Sequence, residues 1–499
     1  MTTQAPVIRT YSHWSRPQSA GLGKLGAGGT SVMFAGLIVV ALLFFVNFWL
    51  SMAALALLGL ALGAIVYRNA DGLNVVDRVI ERAGFVNAKQ KGANLYRSGP
   101  LSRIPWGSHQ LPGIAAGSKL YEYQDSNFRP FALIHLPSTD HYTVVIETQP
   151  DGSALVDQEQ IDGWVASWGF WLNSLADEPG LEAVTVTVET APDTGKRFEK
   201  QVRGATDPDA PAFAVQMLEE LIEQAPHGSA LTRAYVALTF KGQTRVGSKR
   251  RSIEEVGAAI ANRLSGLTSA LESTGAGSSI PVDAQELCEL ILVAYHPTAI
   301  ELVDDAHAEG TPLELNWNDV GPSAHEAGWD YYRHDSAWSV TWTMTGAPRG
   351  LVREQILARL LAPHRDIARK RVTMHYRPID PGKAAGIVEK DLNDANFSTT
   401  GGNKPTARKL KRLNDARRTA EEEASGAGVI TFGMSVTATV TDVSRLEDAK
   451  SAIDMLGASA RVRLRPAYGS QDSAFAATLP LGIVPFRHVK IPTEMRSNL

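Results

Sequence analysis

A single cysteine, Cys288, in 499 residues leaves no partner for an intrachain disulfide and too few thiols for a cysteine-based zinc site. An excess of either charge sign is missing too. Lysine and arginine total 49 against 53 aspartates and glutamates, a net of −4, which argues against binding nucleic acid along the whole chain. No G-x-x-x-x-G-K-[ST], G-x-S-x-G or H-E-x-x-H occurs, so the standard phosphate loop, nucleophile elbow and zinc-protease helix are excluded. No repeat of roughly 20–50 residues is present either, which excludes a solenoid. With 44% hydrophobic and 20% charged residues the chain is neither disordered nor wholly embedded in lipid.

The strongest signal present is a run of 43 residues without a formal charge, Leu25 to Tyr67. As one helix it would be about 65 Å long, roughly twice a bilayer core, so two spans are expected, about Ser31–Val46 and Trp49–Val66 with Asn47 at the turn. Phe44, Phe45, Phe48 and Trp49 beside that turn fit an aromatic belt at the far interface. Arg9, Arg16 and Lys24 precede the run with no acid among them. Arg68, Arg78, Arg82, Lys89, Lys91, Arg97 and Arg103 follow it against three acids, so both ends are expected in the cytoplasm. Gly59 and Gly63 form a G-x-x-x-G, and Gly36 lies on the first span; all three are candidate helix-packing positions.

Beyond the hairpin the periodicity predicts an α+β body of two cytoplasmic α/β sandwich units, ferredoxin-like in kind. The expected organisation is a tail at 1–30, the transmembrane hairpin at 31–67, and a juxtamembrane helix with connector at 68–125. A first unit at 126–310, a second at 330–482 and a tail at 483–499 follow. Val184, Val186 and Val188 alternate with threonines, as do Val340, Trp342 and Met344, and both runs read as half-buried strands. Trp164, Trp168 and Trp171 share a helical stripe and are expected in the core. Residues 396–405 read as a loop and 404–424 as an exposed charged helix.

Chemistry-bearing groups are sparse. His135 and His141 bracket a predicted hairpin and could meet across it. His307, with Asp304, Asp305 and Glu309, reads as a solvated acidic turn in preference to an oxygen-ligand metal site. Cys288 reads as a small buried hydrophobe. Neither a catalytic set, a cofactor nor a metal is expected. Three basic patches stand out: Lys241, Arg245, Lys249, Arg250 and Arg251 on one loop, Arg408, Lys409, Lys411 and Arg412 on the charged helix, and Arg461, Arg463 and Arg465 on one strand face. They suit DNA phosphates or anionic lipid heads, though solvated loops and ion pairs are the commoner use, and nucleic acid is the minor alternative.

The opening Tyr11-Ser-His-Trp-Ser-Arg-Pro, the Gly-rich run after it and the two-span hairpin resemble the PrgI-like inner-membrane subunits of type IV secretion. Gly328-Trp-Asp-Tyr-Tyr-Arg-His-Asp and Gln471-Asp-Ser-Ala-Phe-Ala-Ala-Thr-Leu-Pro-Leu-Gly look like the region before the motor domain of conjugation ATPases. The chain as a whole is similar to a family of actinobacterial membrane proteins encoded with conjugative elements. The resemblance implies a membrane-anchored, non-enzymatic subunit of a hetero-oligomer, set in the lipid bilayer among other membrane subunits. Without a Walker motif, the motor ATPase it docks is expected to be a separate chain. An EccE-like component of a type VII secretion complex is the alternative.

Overall fold

In the computed structural model the described residues are 10–12, 14, 25–67, 69, 73–100, 102, 108–150, 152, 156–192, 196–207, 210–224, 230–243, 250–348, 350–400 and 405–488. Two apolar helices come first, α1 (Gly26–Val46) and α2 (Phe48–Val66), folded back on each other. Asn47 makes the reversal: its extended backbone stops α1, and its side-chain oxygen accepts from the amides of Trp49, at 2.9 Å, and Leu50, so it caps α2. Helix α3 (Val75–Gln90) follows, started by a reciprocal capping box between Asn74 and Asp77.

All remaining strands join one antiparallel sheet. They are β1 (Leu95–Arg97), β2 (Lys119–Gln124), β3 (Pro130–Leu136), β4 (His141–Gln149), β5 (Leu181–Pro192), β6 (Ala230–Lys241), β7 (Ser278–Pro281), β8 (Ala324–Ala327), β9 (Tyr332–His334), β10 (Ala337–Gly346), β11 (Arg369–Pro378), β12 (Ile430–Val440) and β13 (Arg463–Pro466). Between them lie α4 (Gln158–Ser174), α5 (Lys196–Ala205), α6 (Ala212–Gln224), α7 (Ile253–Leu271), α8 (Ala284–Tyr295), α9 (Ala299–Glu309), α10 (Ala358–Leu361), α11 (Pro381–Thr400), α12 (Ala407–Ala424), α13 (Leu446–Ser459) and α14 (Gln471–Ala477).

The two halves of the sheet follow the same course. From β4 the chain runs through α4 to β5, through α5 and α6 to β6, and through α7 to β7, laid side by side as β5-β6-β4-β7. From β10 it runs through α10 to β11, through α11 and α12 to β12, and through α13 to β13, laid as β11-β12-β10-β13. The halves meet where β5 pairs β11, with Val188 opposite Val372 and Thr187 opposite Thr373. The two expected units therefore share one sheet.

One face carries the apolar residues of the alternation. Val236, Leu238 and Val144 pack under Trp171 of α4 and Leu264 of α7; Trp342, Val436 and Val372 pack under Leu360 of α10 and Ile453 of α13. Burying each such side chain is worth about 1.5–3 kcal/mol. Thr187, Thr341, Thr373 and Thr437 occupy the other face of the joined sheet, where half-burial was expected; each is at most 1% exposed. Helix α14 and the segment after it cross this face. The Thr478 carbonyl accepts from Thr373 at 3.0 Å, the Thr478 hydroxyl meets that of Thr437 at 2.9 Å, and Gln471 bonds both backbone groups of Thr341. Threonine can sit there because its methyl packs while its hydroxyl finds a partner.

Several other expectations change. The connector at 68–125 contains β1 and β2, which form the two edge strands of the strand path. Of the expected loop at 396–405, residues 396–400 are instead the last part of α11 and 401–404 lie outside the described residues; α11, a helix where none is expected, packs Leu392 and Ala395 against Leu413 and Ala416 of α12. His135 stacks on Tyr142, with ring centroids 4.4 Å apart, while His141 lies opposite Leu136, so the two histidines do not meet. Trp171 is buried and stacks on Trp168, which places that part of the stripe in the core.

Candidate functional site

Each apolar helix offers 19 residues long and apolar enough to cross a membrane, about 28 Å of helix against a hydrocarbon core of about 30 Å. Nearly all of that surface faces outward: Phe45 is 87% exposed and Leu60 72%. Apolar area of this extent is untenable in water, so a membrane is its natural surrounding. Of the three glycines, only Gly36 packs the hairpin, since a Cβ there would meet the Leu58 side chain at 2.3 Å. A Cβ on Gly59 or Gly63 would meet nothing within 4 Å, so the G-x-x-x-G faces away from the first span. Ser51 donates across the pair to the Val40 carbonyl at 3.1 Å.

Both chain segments flanking the hairpin dock on the half of the body built around β10–β13. Before it, Tyr11 and Val352 exchange backbone hydrogen bonds at 2.8 and 3.0 Å, and Trp14 meets Phe432 edge-on. After it, α3 sends Glu81 to Arg465 of β13 at 2.7 Å and Phe85 against Trp329.

The basic patches divide. Arg250 pairs with Asp140 at 2.6 Å, Arg251 donates to the carbonyls of Lys241 and Gly242, and Lys241 pairs with buried Glu182, so these cations are spent within the fold. Arg245 and Lys249 lie outside the described residues. Arg412 reaches Asp391 on α11 at 3.3 Å, whereas Arg408, Lys409 and Lys411 are exposed on α12. Arg461 is not on a strand: it has φ 55° before β13 and donates to the Leu351 carbonyl.

A charged cleft that sequence reading missed lies between α8, α9 and the adjoining ends of β5 and β6, with a volume of about 1020 Å³. Beneath it Glu189, buried on β5, accepts from Arg369 at 2.9 Å and lies 3.4 Å from Nε of Arg371. Burial alone would raise the Glu189 carboxyl, but the two guanidiniums hold it below its ordinary range. Arg371 is 1% exposed and lies 4.6 Å over the Phe475 ring of α14; burial pushes it down to about 10. Inside the cleft, burial and then the neighbouring Glu147 carboxylate push Glu286 up to about 8. Such a carboxyl can give or take a proton near neutrality.

His307 Nε2 meets Glu289 at 2.7 Å, on helix α9 where a turn was expected, and no group of three or more metal-ligating side chains occurs among the described residues. Cys288 is buried and its thiol is pushed up to about 12, which suits a packing role. The one legible hint of the cleft was the run Arg369-Lys370-Arg371 opening a strand.

Residues 18–77 match a family described as a domain of unknown function (DUF8461). The match spans the apolar hairpin and ends in the first turn of α3. No curated protein matches the chain.

Proposed function

We propose that this chain is a membrane-anchored, non-enzymatic structural component of a type IV-like conjugative DNA-transfer or secretion apparatus, whose cytoplasmic body docks a separately encoded motor ATPase. The observation that carries the anchor is the double docking. Tyr11 before the hairpin pairs with Val352, between β10 and α10, and Glu81 after it pairs with Arg465 of β13, which supports α1 and α2 leaving and re-entering on the same side of the membrane. The basic flanks favour the cytoplasm as that side. Each half of the sheet, with its fourth-first-third-second strand order, reads as a split βαβ, ferredoxin-like unit, the pair fused through their second strands.

The machine assignment comes from the resemblance of the quoted motifs. One of them, Gln471 to Gly482, straps the two halves together over the threonine face. The tested outcome is capture of a conjugation-type motor ATPase with the tagged full chain from detergent extracts. Capture of an FtsK-type translocase complex instead would move the chain to a type VII machine, and no ATPase in either form would remove the docking role. Labelling of Ser12→Cys and Lys411→Cys from opposite faces of sealed membranes would remove the hairpin.

A further inference from the structure

Helix α3 turns one face to the sheet and leaves another uncovered. Glu81 and Phe85 hold it to Arg465 and Trp329, on one side of the helix. On the other side Val76, Val79, Ile80 and Val86 are 39%, 60%, 51% and 51% exposed, and exposed Ala83 completes the stripe. Their spacing of three and four residues keeps them in one line along about 15 Å of helix. Arg78 and Lys89 run along one border of that line, Arg82 beside them lies 6.0 Å over the Trp329 ring, and Lys91 caps the helix end.

The position of this helix in the chain names what covers it. Helix α2 ends at Val66 and α3 begins at Val75, nine residues on, so the two ends lie within about 30 Å of each other. An apolar stripe with a cationic border, tied by so short a tether to an apolar span, has the composition of a helix lying in the membrane interface. There the apolar side sinks about 5–10 Å and the cations meet lipid phosphates.

We propose that α3 lies in the membrane surface with Val76, Val79, Ile80, Ala83 and Val86 in the headgroup–acyl boundary, and so holds the β10–β13 half of the body flat against the leaflet from which the hairpin emerges. This rests on α1 and α2 being embedded, and the test separates the two claims.

The native cysteine is buried, so introduced cysteines can be spin-labelled singly. Full-length protein is reconstituted in phosphatidylcholine vesicles containing phosphatidylglycerol, with labels at the five stripe positions, at Leu57→Cys on the hairpin and at Lys411→Cys on α12. Collision with oxygen and with a water-soluble nickel chelate is measured at each. The expected result is nickel accessibility at Val79→Cys and Val86→Cys several-fold below that at Lys411→Cys, with oxygen accessibility raised toward the Leu57→Cys level. Stripe labels as nickel-accessible as Lys411→Cys, with Leu57→Cys in lipid, would overturn the proposal and leave the anchor standing. Stripe labels shielded from both reagents would overturn it in favour of a protein cover, a second copy or another subunit. Leu57→Cys open to nickel would overturn the anchor and the proposal together.

Discussion

Arg465 and Glu81, 384 positions apart in sequence, close a two-pronged ion pair: Nη2 lies 2.7 Å from Oε2 and Nη1 3.2 Å from Oε1. Arg465 also lies over the Tyr468 ring, so its guanidinium is fixed on two sides. The pair joins the first helix after the hairpin to the last strand of the sheet, and through it the anchor's position is passed to the body.

Removing either partner should loosen α3 without unfolding the sheet. Arg465 is 12% exposed and Glu81 30%, so the bond is partly screened by water and its coupling should be about 1 kcal/mol, on the order of fivefold. Amide exchange across α3 should speed up by that factor in Arg465→Ala and in Glu81→Ala, and the double variant should match either single one. Additive effects would show that the two side chains act independently.

Gly482 seats the strap that crosses the threonine face. It has φ +66°, and a Cβ there would lie 1.9 Å from Thr143 Oγ1 and 2.5 Å from Thr239 Oγ1. Gly482→Ala combines a left-handed backbone with an overpacked core, and should cost about 2–4 kcal/mol. Gly84→Ala, at a helical position with nothing within 4 Å, is the control and should leave stability unchanged or slightly higher. Urea midpoints of the full chain in detergent distinguish them. A midpoint for Gly482→Ala equal to the control would mean that the strap does not rest where the structure places it.

Glu286 gives the cleft a pH signature. Its carboxyl is raised from the ordinary 4.5 to about 8, first by burial and then by Glu147. Between those values the folded state holds a proton that the unfolded chain has released, so this group's contribution is full below about pH 4.5 and falls away as pH rises toward 8. Glutamine imitates the protonated acid. Glu286→Gln should therefore match the parent at pH 5 and exceed it at pH 8 by on the order of 2 kcal/mol. Parallel stability-against-pH curves for the two proteins would show that Glu286 is an ordinary solvated carboxylate.

The hairpin was legible because its signal is one-dimensional: a run without charge, a length fixed by the bilayer and a polar residue, Asn47, where the helix must break. The alternation with threonine likewise marked β5 and β10, because side chains on a strand point alternately to its two faces. Much of the site was not legible. Glu147, Glu189, Glu286 and Arg371 come from four separate elements, and no local spacing joins them.

What the sequence determined by itself is which segments are apolar enough for lipid, which alternate and which face of each seeks a core. The tertiary structure decided that two similar halves fuse through β5 and β11, that β1 and β2 become the edge strands of the path, and that the threonine face is covered. The reason is physical. Strand pairing at a distance is made by backbone groups that every residue carries, and a threonine serves equally beside water or beneath a strap that satisfies its hydroxyl.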